Sequence, residues 1–261
     1  MVSLETPCPD IRSESSAQSL ADNFLEIFSL HIANNEYLRT LAHQVRYQIY
    51  CEESALESKE VHSNGLETDR YDAHAIQCVL THRATNITVG ACRVVLPNSE
   101  DWRHSFPIQQ VCNDPTLHDY ATVMQSCEGS RFCVSQEARK SICDTASYPS
   151  DLEDARDIAA RSRRLLPYIS IGIVRLMVEA TLQNNFTSFY GLLDPRLVKM
   201  LMRQSICPDT TADNIEYHGI RTPTLFVPLS MFELTYKQKR EVWKILSDYG
   251  RLHEIALDMQ R

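Results

Sequence analysis

The chain has 261 residues, 43% of them apolar and 23% charged, a globular composition with enough length for a substantial core. Its net charge of -8 counts against nucleic acid as a partner, because phosphate binding needs a basic surface. The nine cysteines are irregularly spaced and contain no C-x-x-C, so neither a disulfide framework nor a structural zinc motif fits, and a reducing, cytoplasmic setting is expected.

The opening MVSLETPCPDIRSESS has neither the basic nor the apolar region of a secretory signal, and residues 1–20 read as a flexible or peripheral arm. A helix or strand containing Phe24 to His31 follows. Asn35 to Glu53 is expected as a helix, since Leu38, Leu41, Ala42, Val45 and Ile49 recur at helical spacing. An acidic loop then runs to Asp72. Ala75 to Leu80 and Thr88 to Leu96 read as a hairpin around the polar turn His82-Arg83-Ala84-Thr85-Asn86, with Pro97 closing the second strand. Asn98 to Tyr120 is irregular, and another strand lies around Cys127 to Val134. Pro149 to Arg164 reads as a loop or short helix. Pro167 opens an almost wholly apolar helix through about Gln183, in which Gly172 permits a close approach on one side. A β-rich run from Ser188 to Leu193, a helix from Pro195, a strand near Leu225 to Pro228 and a charged helix from about Phe232 complete the chain.

Strand, long helix and strand between Glu128 and Leu193 imply a right-handed crossover joining two parallel neighbours, and the hairpin before it adds antiparallel strands. The expected fold is α/β: a mixed sheet with helices on both faces, in one domain spanning residues 1–261. No transmembrane segment is expected, because the best candidate, Leu165 to Leu182, carries Arg175 and Glu179 in its middle. Only seven glycines occur, and neither a dinucleotide fingerprint nor a P-loop is present.

Two constellations could carry chemistry. Glu67-Thr68-Asp69-Arg70-Tyr71-Asp72 packs three carboxylates into six residues, which repel unless cations or substrate amines face them; on composition alone it reads as a solvated acidic loop. Glu128-Gly129-Ser130-Arg131 lies in a strand whose alternation puts Glu128 and Arg131 on opposite faces, unless a bulge at Gly129 brings them together; in isolation it reads as an edge-strand ion pair. Arg46 and Arg93 each read as ordinary exposed side chains when taken alone. His74, Cys78 and His82 share a face without a fourth ligand, so no metal site is expected. Cys133 has no neighbouring histidine and reads as a structural thiol.

Taken in order, Arg46, RYQIYCEE, ETDRYD, VGACRVVLP and EGSRFCVS resemble the acyl-homoserine-lactone (autoinducer) synthases. They resemble still more closely the long-chain N-acyl amino acid synthases and the acyltransferases associated with PEP-CTERM/exosortase systems. The resemblance implies the fold of GCN5-related N-acetyltransferases, with two parallel strands that splay to admit an acyl-pantetheine arm. It also implies an active-site polar network of Arg46, Glu67, Asp69, Asp72, Arg93, Glu128 and Arg131. Tyr217-His218-Gly219-Ile220-Arg221-Thr222-Pro223 resembles a segment of the exosortase-associated branch. The G-x-G/A pyrophosphate loop of acetyl-CoA-using relatives is absent between Val134 and Tyr168, which favours acyl carrier protein as donor. The tryptophan that homoserine-lactone synthases carry after the first helix is also missing, Trp102 lying elsewhere, which counts against S-adenosylmethionine as substrate.

The implied activity is aminolysis of a thioester, moving a long acyl chain from acyl carrier protein to the amine of an amino acid or similar small acceptor. No bound cofactor is expected beyond the acyl-phosphopantetheine of the carrier. Glu128 is the expected general base; Arg131 and Arg93 either clamp the acceptor's carboxylate or orient Glu128. Phe132, Cys133 and Val134 line the substrate, a backbone N–H there stabilising the oxyanion, with one such donor worth about 3 kcal/mol. Acyl carrier proteins are acidic, so Arg161, Arg163 and Arg164, just before the Pro167 helix, are the expected docking patch, and the lipophilic product leaves by transient membrane contact. Homoserine-lactone synthesis from S-adenosylmethionine and non-catalytic binding of acyl carrier protein or an acyl amino acid are the competing readings.

Overall fold

A computed structural model describes residues 18–261, so the arm expected over residues 1–20 lies almost wholly outside the described residues. The first segment is both of the elements expected: helix α1 (Leu20–Ile27) runs straight into strand β1 (Phe28–Ile32). Ser19 caps α1 by accepting from the Asp22 N–H, and the Asp22 carboxylate accepts from the Ser19 N–H in return. Helix α2 (Glu36–Tyr47) continues as a π-helical turn, Gln48–Glu53. Such turns are rare and recur at functional sites. A 3₁₀ turn, Arg70–His74, leads into β2 (Ala75–His82) and β3 (Thr88–Val95), which pair antiparallel as expected.

The stretch read as irregular holds three 3₁₀ turns, and the short helix α3 (Tyr120–Met124) follows it. Next come β4 (Cys127–Val134), α4 (Gln136–Ser141), α5 (Ala155–Leu165), α6 (Ile169–Gln183), β5 (Phe189–Leu193) and α7 (Pro195–Arg203). The remainder is β6 (Asp209–Thr210), β7 (Ile215–Glu216), β8 (Ile220–Phe226), α8 (Pro228–Gln238), α9 (Arg240–Ser247) and α10 (Arg251–Asp258). The single terminal helix expected from Phe232 is thus three helices, broken at Lys239 and at the left-handed Asp248, Tyr249 and Gly250. β8 begins five residues before the expected strand. Its Pro223 discourages a strand assignment, yet the proline carbonyl accepts from the Thr211 N–H and the residue keeps register with Leu192.

The sheet runs β1-β2-β3-β4-β5-β8-β6, with β7 added on β8; among the described strands only β4 and β5 pair parallel. One face carries α2 over Val79, Ala91 and Cys133. The other carries α6, on which Ile169, Ile171, Ile173, Val174, Leu176 and Val178 are all buried. A helix covered on every side reads as apolar all round. Gly172 sits where a Cβ would lie 2.7 Å from Leu80 and Phe24, so glycine permits the close contact expected there. The continuous stretch from Ala155 to Gln183 is long and apolar enough to cross a membrane, but most of its apolar window is buried inside the fold.

Candidate active site

Parallel pairing of β4 with β5 stops early. Cys127, Glu128 and Gly129 face Phe189, Tyr190 and Gly191, and beyond that β4 has no strand partner on the β5 side among the described residues. The cause is a bulge. Ser130 pairs with Arg93 and Cys133 with Ala91, so Arg131 and Phe132 together stand opposite the single Cys92. Arg131 occupies the left-handed region at φ +49°, a strained conformation for a residue with a Cβ and one that clusters at functional sites.

The bulge therefore falls two residues later than expected. Gly129 itself is in register with Val94 and Gly191, and a Cβ on it would approach the Met177 sulfur and the Phe189 ring to 3.0 Å. Glycine here serves the close packing of α6 and β5.

The bulge puts Arg131 beside Arg93 and the acidic segment. Arg93 donates from Nη1 and Nη2 to the two oxygens of Asp69, at 2.6 and 2.7 Å, from Nη1 to Asp72 at 2.7 Å, and from Nε to Ser130 Oγ at 2.8 Å. Arg46 donates from Nη1 and Nη2 to Asp72 at 2.8 and 3.0 Å, and from Nε to Glu67 at 2.5 Å. Arg131 donates to Glu67 at 2.8 Å, to Asp69 at 3.0 Å and to Glu57 at 3.4 Å. Arg46, Arg93 and Glu67 are wholly buried. The acidic segment is accordingly not a solvated loop. Asp69 caps the 3₁₀ turn through the Tyr71 N–H, and Asp72 accepts back from the Asp69 N–H, so local backbone geometry fixes both carboxylates before the arginines reach them.

Electrostatics follow from this pairing. Burial alone would raise Asp72, but Arg46 and Arg93 outweigh it and hold the carboxyl well below the usual range. Glu67 and Asp69 are likewise held low by their arginines against the effect of burial. Glu128 behaves oppositely. Burial pushes it up to about 8, against the Ile108 N–H that donates to it at 2.8 Å and the more distant charges of Arg93 and Arg131. Acids of one cluster are thus separated into three fixed anions and one group that titrates near neutrality, the condition for acid–base chemistry.

Glu128 and the backbone from Gly129 to Val134 form one wall of a cavity of about 350 Å³. Its apolar lining comes from Val174 and Met177 of α6, Phe189, Leu192 and Leu193 of β5, Leu197 and Leu201 of α7, and Phe226 of β8. Phe132, Cys133 and Val134, the residues expected to meet the substrate, line this cavity. The Cys133 thiol is pushed up to about 12 by burial, which removes it as a nucleophile. Cys78 and His82 lie four residues, about 13 Å, apart along β2, too far to share one ion, and His74 ends the 3₁₀ turn before that strand with its Nε2 on the Ser105 carbonyl at 3.0 Å. Tyr217, His218 and Arg221, of the hairpin between β7 and β8, also line the cavity, and so do Tyr50 and Glu57. The sequence reading assigned no role to these. The only signal was the unassigned segment Tyr217 to Pro223.

None of the three docking arginines lines the cavity. Arg161 pairs with Glu26 at 2.5 Å and with Asn23, Arg163 donates to the Cys143 carbonyl, and Arg163 and Arg164 are exposed. The helix at Pro167 has no free N-terminus, because α5 runs into α6 through one 3₁₀ turn. Pro167 therefore does not open a separate helix as expected: it falls within a continuous helical run.

Residues 45–146 match the acetyltransferase (GNAT) domain family. A comparison with curated proteins yields no significant match. Among solved structures, the acyl-homoserine-lactone synthase LasI is similar at 15% identity, with TM-score 0.50 over 77% of this chain and 89% of that one. TofI, in a ternary complex with an inhibitor and MTA, is similar at 14% identity and TM-score 0.50, over 77% and 90%. The CoA-dependent acyl-homoserine-lactone synthase BjaI, with MTA, matches at 12% identity and TM-score 0.50, over 90% and 98%. At such identities the likeness is one of fold. This chain shares that fold, and the segment within it that matches the GNAT acetyltransferase family model, residues 45–146, contains β2, β3 and the bulged β4.

Proposed function

We propose that the protein is an N-acyltransferase that moves a long acyl chain from an acyl carrier protein thioester to the amine of an amino acid or similar small acceptor. The observation that carries this reading is a single cavity that is apolar between β5, α6 and α7 and has in its wall a buried carboxyl poised near 8.

The acyl chain lies along Val174, Met177, Leu197, Leu201 and Phe226, and the thioester sits at the unpaired edge of β4. The acceptor nitrogen attacks the thioester carbonyl carbon; a C–N bond forms and the C–S bond breaks. The proton lost from nitrogen passes to the Glu128 carboxylate and from there to the departing thiolate. Backbone N–H groups between Phe132 and Val134 meet the oxyanion. Arg46, Arg93 and Arg131 are positioning residues. With their charge spent on Glu67, Asp69 and Asp72, they hold the bulge and keep Glu128 the only carboxyl of the cluster that changes its proton near neutrality.

Two observations support a carrier protein over coenzyme A. The backbone N–H groups that follow β4 are closed by this chain's own Glu53, which accepts from the Gln136 N–H at 2.8 Å and the Ser135 hydroxyl at 2.6 Å. A diphosphate finds an anion already there. Beside the cavity, α7 turns Leu197 and Leu201 inward while Arg196, Lys199 and Arg203 are exposed, none paired with an acid among the described residues. That face suits an acidic partner.

The test is incubation with long-chain acyl carrier protein, acyl-CoA and an amino acid pool with S-adenosylmethionine, read by mass spectrometry. An acyl amino acid formed from the carrier thioester is the expected product. An acyl-homoserine lactone, preference for acyl-CoA, or binding without turnover would each overturn the reading.

A further inference from the structure

The hairpin of β7 and β8 overhangs the site at the strand ends. Thr222 of β8 is in register with Leu193, the last residue of β5, so Arg221 stands just beyond it, where β4 has already diverged. Tyr217, His218 and Arg221 all line the cavity, and the Tyr217 hydroxyl lies within electrostatic range of Arg131 and Glu128, burial raising its pKa.

The charges in this wall are not distributed alike. Arg131 is neutralised by Glu67 and Asp69, with Glu57 close by. Arg221 donates to two carbonyls of its own hairpin, His218 O at 2.6 Å and Ile220 O at 3.0 Å, and has no acid partner among the described residues. Those bonds aim the guanidinium without cancelling its charge. The turn is shaped to it: Gly219, at φ +91°, sits where a Cβ would lie 3.3 Å from Arg221 Nη1. Asn214 accepts from the Thr222 hydroxyl at 2.7 Å and fastens the hairpin's base.

We propose that Arg221 is the site of the acceptor's carboxylate, and hence that the acceptor is an amino acid and not a simple amine. The inference rests on the acyltransferase reading for its meaning. An uncompensated guanidinium is suited to a bidentate carboxylate, and the other arginine of the wall, Arg131, has already spent its charge on Glu67 and Asp69. A carboxylate held at Arg221 directs the neighbouring amino group toward Glu128 and the β4 edge. The phosphate of the donor's pantetheine arm is the other anion that could meet this residue.

The experiment compares wild-type with R221Q and R221K. R221Q is expected to raise the acceptor KM at least tenfold for an amino acid, to leave KM for its decarboxylated amine unchanged, and to change the carrier-thioester KM less than twofold; R221K lies between. A rise in the carrier-thioester KM instead would assign Arg221 to the donor phosphate and overturn the proposal, as would no change in either. Calorimetry with N-dodecanoylglycine and N-dodecanoylglycinamide reads the site without turnover. Wild-type should bind the carboxylate form at least tenfold more tightly, and R221Q should lose that preference. Equal binding by wild-type would overturn the anion site even where turnover is found, whereas a preference without any turnover would leave the anion site standing and remove the acyltransfer reading.

Discussion

Arg46 and Arg93 donate to the same carboxylate oxygen: Nη1 of each meets Oδ1 of Asp72, at 2.8 and 2.7 Å. One arginine comes from the helix on the face of the sheet and the other from a central strand, so the shared oxygen ties α2 to β3. Glu67 ties α2 to the bulge of β4 in the same way, through Arg46 on one side and Arg131 on the other. The network thus fixes α2 both to β3 and to the bulge of β4.

Removing one partner strands the others in a dry environment. Asp72→Asn is expected to lower the unfolding free energy by about 3 kcal/mol, since an uncompensated buried charge costs about 3–5 kcal/mol. Glu57→Gln, which faces solvent more, should cost under about 1 kcal/mol. Urea unfolding at pH 7 checks both. Because the Asp72 pKa is depressed in the fold, its contribution is present above the ordinary carboxylate range and fades on acidification through it. The wild-type advantage over Asp72→Asn should therefore shrink as pH falls below about 4.

Glu128 has the opposite sign. Its folded-state value, about 8, lies above that of an unfolded carboxyl, so the fold loses stability as pH rises from the ordinary carboxylate range to about 8. Glu128→Gln should gain melting temperature relative to wild-type over that interval. Turnover should move the other way. On the proposed mechanism the ionised form is the base, so wild-type kcat is expected to rise with pH toward about 8 and Glu128→Gln to lose about 100-fold or more. A folded glutamine variant with wild-type turnover would remove Glu128 as base.

How far the sequence carries depends on the residue. The hairpin of β2 and β3, the strand from Cys127 and the apolar α6 are legible because period and length are local properties. Asp69 and Asp72 are legible as an acidic run but not as buried groups, since the arginines that neutralise them arrive from 21 to 62 residues away in sequence. Gly129 suggests a bulge for a sound reason, yet the irregularity sits at Arg131, where the surrounding pairing enforces a conformation that intrinsic preference disfavours. The β7–β8 hairpin escapes because Pro223 breaks the pattern and two-residue strands have no period. Its place at the cavity is a tertiary fact.

The apolar cavity makes chain length a matter of space. Val174 is buried on α6 and lines it, so Val174→Phe puts a ring in the proposed path of the distal acyl carbons. The preferred donor should shorten, with products from short-chain donors retained and those from long-chain donors reduced at least tenfold. Overfilling costs stability of about 1–3 kcal/mol, so a melting curve accompanies the assay. Unchanged selectivity in a folded variant would place the acyl chain elsewhere.

Docking separates two basic surfaces. Arg163 and Arg164 are exposed on α5 but lie outside the cavity lining, and Arg161 beside them is held by Glu26. Arg196, Lys199 and Arg203 occupy the solvent face of the helix whose other face walls the cavity, so a carrier bound there delivers its pantetheine arm over a short path. On the proposed carrier donor, a chain of net charge -8 would repel the acidic partner at a distance, which would leave recognition to such a local patch. Reversing Arg196, Lys199 and Arg203 to glutamate should raise KM for the acyl carrier protein at least tenfold while changing KM for a pantetheine-thioester mimic less than twofold, and the wild-type carrier KM should rise with salt. Arg163→Glu with Arg164→Glu should change neither by more than twofold. A loss confined to the α5 variant would move the docking site to that helix, and equal losses with both donors in the α7 variant would mean that the helix shapes the cavity without receiving the carrier.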